Sequence, residues 1–245
     1  MTAFDAFDQH GYGVRLEWGP AGVAALVRVC SVLVVVDVLS FTTAVDVAVS
    51  RGATVLPLRW GQEPPPGAVV AGRRGSPGAW SLSPPSLLDL PAGIHLALPS
   101  PNGATLSVAA ASSGIPVLAG CLRNASAVAA AASVIAGPGG VIGVAPSGER
   151  WPDDRLRVSI EDLMGAGAII TALAAHSPMS PEALVAVDAF ATARMRGLSG
   201  VLADCSSGRE LAAIGFAGDV AMAAEYDVSR AAPLLRDGAY IDYAG

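Results

Sequence analysis

The sequence of 245 residues predicts a layered α/β/α fold, and three observations support that prediction. Residues 32–36 are an unbroken run of Val and Leu, which is typical of a strand buried on both faces of a parallel or mixed sheet. From there to residue 145, segments with strand character alternate with segments with helix character. Apolar residues make up 52% of the chain, so it can bury a large core.

The elements up to residue 145 are expected to alternate around one long loop. This loop, residues 61–91, is rich in Pro, Gly and Ser and has room for one short strand at 68–71. Structureless loops of such length are often functional. In chain order we predict strand 32–36, helix 43–50, strand 53–58, loop 61–91, strand 94–98, helix 102–111, strand 116–119, helix 124–136 and strand 141–145.

The last third of the chain is expected to be helical. Residues 160–175 form one predicted helix, and Ser180-Pro181-Glu182 has the N-cap, the proline and the acidic first turn that begin another. Two more helices should begin at Ser207 and Gly218. We find no internal repeat and no linker, so we predict a single α/β domain over residues 1–245.

Composition and charge exclude several classes of protein. The net charge of −6 argues against a nucleic-acid surface, and the absence of Lys excludes a P-loop and suggests a GC-rich, bacterial source. Three cysteines without CxxC spacing and an N-terminus without an apolar signal core favour the cytoplasm. No membrane span is expected, because Gly137-Pro138-Gly139-Gly140 interrupts the uncharged stretch 124–148.

Asp37 directly follows the run at 32–36 and is the first candidate for a functional side chain. In open α/β sheets ligands collect outside the carboxyl ends of the strands, where a carboxylate can hold a metal ion. The alternative is a structural Asp that begins the turn before the next helix. Leu39 stands where aspartyl-phosphate enzymes carry a second Asp, so a covalent route is not expected. Cys205 and Arg209 are too close for the phosphate loop of a cysteine-based phosphatase.

Polar residues also precede several predicted helices. Asn102 and Asn124 are suitable N-caps, and Asn102 with Gly103 would also present backbone N–H groups to an anion. Arg123 and Arg209 lie near helix starts, where a guanidinium group favours bidentate contacts to phosphate or carboxylate. Capping and ligand binding are compatible, so both interpretations stay open.

Two segments have the spacing of a capping box, in which two side chains satisfy backbone groups at a helix start. One is Ser207 with Glu210. The other is Ser159 with Asp162, where Glu161 is not needed for the cap and is free to bind a cation. The two adjacent carboxylates also suit the positive end of the helix dipole.

Taken in order, these segments resemble the 2-phosphosulfolactate phosphatase (ComB-like) family over nearly the full chain. Each motif is short, so the order and spacing of the whole set carry the resemblance. The motifs are Asp37-Val38-Leu39 with Thr42-Thr43, Asn102-Gly103, Ser159-Ile160-Glu161-Asp162 with Gly165-Ala166-Gly167, Ser207-Gly208-Arg209-Glu210-Leu211, Gly215-Phe216 and Asp219-Val220.

The resemblance implies a three-layer α/β/α fold with a mixed, largely parallel sheet. It also implies Mg²⁺-dependent hydrolysis of (2R)-2-phospho-3-sulfolactate to 3-sulfolactate and phosphate. We expect Asp37, Glu161 and Asp162 to hold Mg²⁺ and to act in catalysis. Residues expected to bind the small phosphorylated acid are Asn102, Gly103, Arg123, Asn124, Ser207 and Arg209.

The high apolar content of the chain favours a homodimer.

The chain departs from the family pattern at several positions. Ser40 stands where the family has Arg, Ala104 where it has Thr, and Arg73 where it has Glu. Loss of a charged contact to an anion should cost roughly a few kcal/mol, unless Arg73 or Arg74 replaces it. Two alternatives therefore stay open: a diverged member that binds an anionic or phosphorylated ligand without hydrolysis, and a phosphatase for another small 2-phospho acid.

Overall fold

The computed structural model describes residues 6–76, 80–173 and 178–243. The strands in these ranges are β1 Val14–Leu16, β2 Val32–Val36, β3 Thr54–Leu58, β4 Val69–Val70, β5 His95–Pro99, β6 Val117–Gly120, β7 Ile142–Pro146, β8 Glu149–Arg150, β9 Leu156–Arg157, β10 Pro233–Arg236 and β11 Ala239–Asp242. The helices are α1 Gly19–Leu26, α2 Phe41–Ser50, α3 Gly103–Ala111, α4 Ala125–Ala136, α5 Ile160–Ala172, α6 Pro181–Arg196, α7 Leu198–Asp204, α8 Ser206–Ala213 and α9 Ala217–Ala223, with short 3₁₀ turns at Ala6–Asp8 and Pro84–Leu87.

The described strands form a nine-stranded sheet with the order β1-β7-β2-β6-β10-β11-β3-β5-β4. Five neighbouring pairs are parallel and three, all involving β10 or β11, are antiparallel. β8 and β9 form a separate hairpin. Because β2 lies parallel to β7, with Val36 opposite Pro146, the chain leaves both strands at the same edge of the sheet.

The central strand β2 is buried on both faces, as its sequence predicts. Val32, Val34 and Val36 pack in one apolar cluster with residues of α4 and α5. Leu33 and Val35 alternate with them and pack in another cluster with residues of α1 and α3. Helices therefore cover both sides of the sheet, and the predicted three-layer α/β/α fold with a mixed, largely parallel sheet is confirmed.

Most predicted elements are present with ends shifted by one or two residues. The helix predicted at 43–50 begins at Phe41, and the short strand predicted at 68–71 is reduced to β4. The helix predicted at 160–175 ends at Ala172, and residues 174 and 175 lie outside the described residues. No helix within the described ranges combines the length and the apolar character that a membrane crossing requires.

Several elements were not predicted. They are β1, α1, α7, the β8–β9 hairpin and the β10–β11 hairpin. The last of these places Tyr240 in the middle of the sheet, fully buried, where its hydroxyl donates to Ser107 Oγ at 2.7 Å. Ser107 in turn donates to the carbonyl oxygen of Gly103 at 2.6 Å, so the C-terminal hairpin supports the first turn of α3.

Replacing Tyr240 by Phe should lower the free energy of unfolding by about 1–2 kcal/mol, because Ser107 would lose its buried donor. Urea unfolding followed by circular dichroism measures this change. The matched control is Tyr243→Phe, whose hydroxyl makes no hydrogen bond to a described residue. Equal stability of both variants and the parent would show that the Tyr240 hydroxyl contributes nothing.

Candidate active site

Asp37 lies at the carboxyl end of β2, buried in a loop that its own neighbours hold in place. Its backbone N–H donates to Thr42 Oγ1 at 3.0 Å, and the same hydroxyl donates to the Asp37 carbonyl oxygen at 2.8 Å. The Asp37 carboxylate accepts a hydrogen bond from the backbone N–H of Gly103 at 2.7 Å through Oδ2. The predicted Asp37 and Asn102-Gly103 motifs are therefore brought together.

The Asp162 carboxylate joins three segments of the chain next to Asp37. Its Oδ1 accepts from the Val38 N–H at 2.7 Å, and its Oδ2 accepts from the Gly148 N–H at 2.9 Å and from the Ser159 hydroxyl at 3.1 Å. The loops after β2 and β7 are thus tied to the start of α5. These three hydrogen bonds engage both oxygens of the Asp162 carboxylate and hold the two loops against the start of α5.

Both predicted capping boxes are wrong in their bonding. At the start of α5 the Ser159 hydroxyl donates to Asp162 and makes no side-chain cap bond, because tertiary contacts hold the carboxylate. α8 begins one residue earlier than predicted, at Ser206, and its N-cap is Cys205, whose Sγ accepts from the Gly208 N–H at 3.3 Å. Only the cap predicted at Ser180 is confirmed among these serines, since its hydroxyl accepts from Ala183.

Four acidic residues, Asp37, Glu149, Glu161 and Asp162, form the core of the site, which we call the carboxylate cluster. Burial, followed by the neighbouring Glu149 carboxylate, raises the pKa of Asp37 to about 7. Burial and the nearby Asp37 raise the pKa of Asp162 well above its usual value, and burial also raises the pKa of Glu149. Solvated carboxylates are stabilised by water, whereas these buried carboxylates repel one another and strongly favour a proton or a cation between them.

Glu149 was missed by the sequence reasoning. Its Oε2 accepts a hydrogen bond from Asn102 Nδ2 at 2.9 Å, so Asn102, which was expected to cap α3 with its side chain, faces the cluster instead. A usable signal was present in the sequence, because Glu149 follows a predicted strand just as Asp37 does. Strands that leave the sheet at one edge carry their following residues to one place.

The start of α8 forms another side of the site. Glu161 Oε2 lies 3.5 Å from Cys205 Sγ. Burial, followed by the charge of Glu161, raises the pKa of the Cys205 thiol to about 11. Arg157 donates to Ser207 Oγ at 2.8 Å and lowers the pKa of Glu149 against the effect of burial. Ser207 therefore lies against Arg157, an additional cation near Glu149 that the sequence reasoning did not select.

Three other predicted binding residues make their contacts elsewhere or make none. Arg123 donates to Asp46 Oδ2 at 2.9 Å on α2, and the Asn124 side chain accepts from the Cys121 N–H at 2.9 Å. Asn124 is fully buried and makes no side-chain cap bond. Arg209 is exposed and forms no ion pair or side-chain hydrogen bond with a described residue. No contact within the described ranges joins these three side chains to the carboxylate cluster.

Arg74 reaches the loop after β2 from the long loop 61–91. Its guanidinium group donates to Ser40 Oγ, to Asp219 Oδ2 at 3.0 Å and to the Leu82 carbonyl oxygen at 3.4 Å. Asp219 also accepts a hydrogen bond from Ser83 Oγ at 2.5 Å, so Arg74 on one side and Ser83 on the other fix the Asp219 carboxylate. An arginine therefore lies beside position 40, although residue 40 itself is Ser.

The chemistry of the carboxylate cluster fits a divalent cation. Asp37, Glu149 and Glu161 supply the hard oxygen donors that Mg²⁺ prefers, and a cation would relieve their mutual repulsion. Asp162 fits less well, because its oxygens already accept three hydrogen bonds. Among the described residues, no three acidic, His or Cys side chains already converge on one point that could hold an ion.

A family model described as 2-phosphosulpholactate phosphatase matches residues 80–238, nearly two thirds of the chain. The match includes Asn102, Glu149 and Glu161, whereas Asp37 and Arg74 precede it. No curated protein sequence gives a match.

Proposed function

The chain belongs to the 2-phosphosulpholactate phosphatase family, and from this we propose that it hydrolyses the phosphate ester of a small 2-phospho acid. The substrate to test first is (2R)-2-phospho-3-sulfolactate. The observation that supports the proposal most directly is the carboxylate cluster at the end of β2, with Asn102 and Gly103 on one side and the start of α8 on the other. Buried carboxylates so close together destabilise the fold, and groups of this kind are concentrated at functional sites.

Mg²⁺ is the proposed cofactor. Asp37, Glu149 and Glu161 would hold the ion, and Asp162 would keep the two loops around it in place. When bound, Mg²⁺ polarises a phosphoryl oxygen and lowers the pKa of a bound water. We include Glu149 with the predicted ligands because its side chain lies in the cluster and, among the described residues, accepts a hydrogen bond from Asn102 alone.

Stability should respond to pH and Mg²⁺ together. The raised pKa of Asp37 means that its stabilising contribution is complete below about pH 4 and is lost as the pH rises through about 7. The raised pKa values of Glu149 and Asp162 act in the same direction. In EDTA the melting temperature should therefore fall between pH 5 and pH 8, and Mg²⁺ should restore more stability at pH 8, where the carboxylates are ionised.

Differential scanning fluorimetry measures both effects. NaCl at matched ionic strength is the control, because it screens charges without coordinating to carboxylates. A Mg²⁺ stabilisation that is equal at the two pH values, or larger at pH 5, would contradict the assignment of the cluster as a cation site.

Arg157 and Ser207 are the proposed contacts of the phosphate group. Arg157 is half-buried, and its guanidinium group already lies against Ser207 Oγ at the start of α8. A guanidinium group binds phosphate through paired, charge-assisted hydrogen bonds. Asn102 would orient the substrate from the opposite side, through an amide held by Glu149.

Arg157→Gln should raise KM for the phosphorylated substrate by about 10- to 100-fold, because one charge-assisted contact contributes about 1.5–3 kcal/mol. Steady-state kinetics over a range of substrate concentrations measures the change. Arg155→Gln is the matched control, since Arg155 is exposed and pairs with Asp153 on the turn before β9. Unchanged KM in Arg157→Gln, or the same change in both variants, would remove Arg157 from the binding site.

A second candidate is an anion-binding protein without phosphatase activity. The observation that favours it is the lack, within the described ranges, of three side chains that already converge on an ion. Phosphate release from 2-phosphosulfolactate, 2-phospholactate and 3-phosphoglycerate separates the candidates. Release from the first supports the proposed substrate, and release from another phospho acid alone shifts the substrate. Binding of these acids by the folded protein without any release would favour the second candidate.

A further inference from the structure

A cavity of about 490 Å³ lies beside the candidate active site, and none of the four clustered carboxylates lines it. Residues on its walls include Trp60, Arg73, Arg74, Leu82, Pro99 and Ile214. We infer that this cavity binds the body of the substrate, and that the substrate is a phosphorylated acid carrying an apolar, preferably aromatic, group. This inference rests on the proposed phosphatase function and narrows its substrate class.

The position of the cavity connects it to the site. Arg74 on its wall donates a hydrogen bond to Ser40, which is three residues after Asp37. Pro99 on another wall is three residues before Asn102. Three residues span at most about 10 Å, so Asn102 lies within that distance of the cavity wall at Pro99, and the Arg74 side chain joins the wall to the loop after β2. A ligand held by Asn102 needs a body of only about this length to reach the cavity at Pro99.

The charge of the walls favours an anionic ligand. Arg73 is exposed, and no described residue pairs with its charge. The charge of Arg74 is balanced by Asp219, and its guanidinium group lies 5.8 Å from the centre of the Phe216 ring. One uncompensated positive charge at the cavity matches the carboxylate of a 2-phospho acid.

The apolar walls favour a ligand with an apolar group. Trp60 is 71% exposed and Ile214 is 61% exposed, so both present apolar surface that a ligand in the cavity would cover. Leu82 and Pro99 continue the apolar surface into the cavity. The volume lies within the range of small-molecule sites, about 300–1,000 Å³. A sulfolactate group has no apolar part to cover Trp60 and Ile214, whereas a phenyl or branched aliphatic group has one.

Calorimetric binding of two dephosphorylated acids tests the cavity without any turnover. Lactate and 3-phenyllactate share the carboxylate and the hydroxyl and differ only in the phenyl group. The parent chain should bind 3-phenyllactate at least about tenfold more tightly than lactate, because the ring would bury apolar surface. Trp60→Ala should remove this preference. Met195→Ala should keep it, because Met195 is also a large, exposed apolar side chain but lies outside the cavity.

Arg73→Gln should weaken binding of both acids, whereas Arg236→Gln, a change of another exposed arginine, should not. Equal binding of the two acids by the parent, or a phenyl preference that survives in Trp60→Ala, would overturn the inference. Phosphate release from 2-phospho-3-phenyllactate and 2-phospholactate then separates the two proposals. A phenyl preference in binding with no release from either ester would support the cavity and overturn the phosphatase function.

Discussion

Replacing Glu161 by Gln is expected to reduce phosphate release by a factor on the order of 10³. Glu161 is buried on the first turn of α5, within the carboxylate cluster, and its charge raises the pKa of both Asp37 and Asp162. Loss of an outer-shell partner of a metal ligand costs about 10- to 100-fold, so loss of a ligand charge should cost more. The amide keeps the size of the side chain and removes only the negative charge.

The same substitution should leave the fold intact. It removes one of several buried like charges, so in EDTA the melting temperature should equal or exceed that of the parent. Glu182→Gln is the control, because Glu182 is exposed on the first turn of α6 and lies outside the cluster. If Glu161→Gln released phosphate within tenfold of the parent, Glu161 would have no place in the chemistry.

Gly103→Ala is expected to lower both stability and activity. A Cβ atom at position 103 would lie 2.5 Å from Phe41 Cδ1, 2.7 Å from Asp37 Oδ2 and 2.9 Å from Asp37 Cβ. These distances are shorter than any contact that real Cβ atoms make, so Asp37 or α3 must move. Overpacking of this kind costs about 1–3 kcal/mol, and the displaced Asp37 would also lose its hydrogen bond from the Gly103 N–H.

Urea unfolding and phosphate release together measure the effect of Gly103→Ala. The control is Gly200→Ala on α7, where a Cβ atom would meet nothing within 4 Å. That change should be neutral or slightly stabilising, because Ala favours a helix by about 1 kcal/mol over Gly. Parent-like stability and turnover in Gly103→Ala would show that the close packing of α3 on Asp37 is unimportant.

The sheet and its main helices were predictable because their signals are local. The Val and Leu run of β2 and the alternation that follows it need only neighbouring residues to be recognised. The β10–β11 hairpin had a local signal too, since Asp237 and Gly238 both have positive φ angles, +50° and +82°, as a two-residue hairpin turn requires. It was missed although an Asp-Gly pair is a strong hairpin signal.

The site was predictable only in part because its contacts join distant segments. Asp37 and Glu161 follow from their places at a strand end and a helix start, but the Asn102 to Glu149 hydrogen bond spans 47 residues. The spacing of Ser159 and Asp162 predicted a local cap, yet Val38 and Gly148 compete for the same carboxylate from other parts of the chain. Where such tertiary hydrogen bonds are available, local patterns no longer determine what a polar side chain binds.

Arg74 shows the same limit in a different form. The sequence placed an arginine in the long loop and a serine at position 40, without indicating their distance. In the structure the Arg74 guanidinium group contacts the Ser40 hydroxyl and is held there by Asp219 on α9. A guanidinium group is thus present beside the loop after β2, although residue 40 itself is Ser.

Metal-dependent phosphate release from small 2-phospho acids, both 2-phosphosulfolactate and 2-phospho-3-phenyllactate, is the most direct test of the proposed function. The purified chain would be assayed with Mg²⁺, with EDTA, and with EDTA followed by excess Mg²⁺, with Glu161→Gln in parallel. We expect phosphate release with Mg²⁺, loss of release in EDTA, recovery when Mg²⁺ is restored, and almost no release from Glu161→Gln. Release that persists unchanged in EDTA, or no release from any small 2-phospho acid by the folded protein, would contradict it.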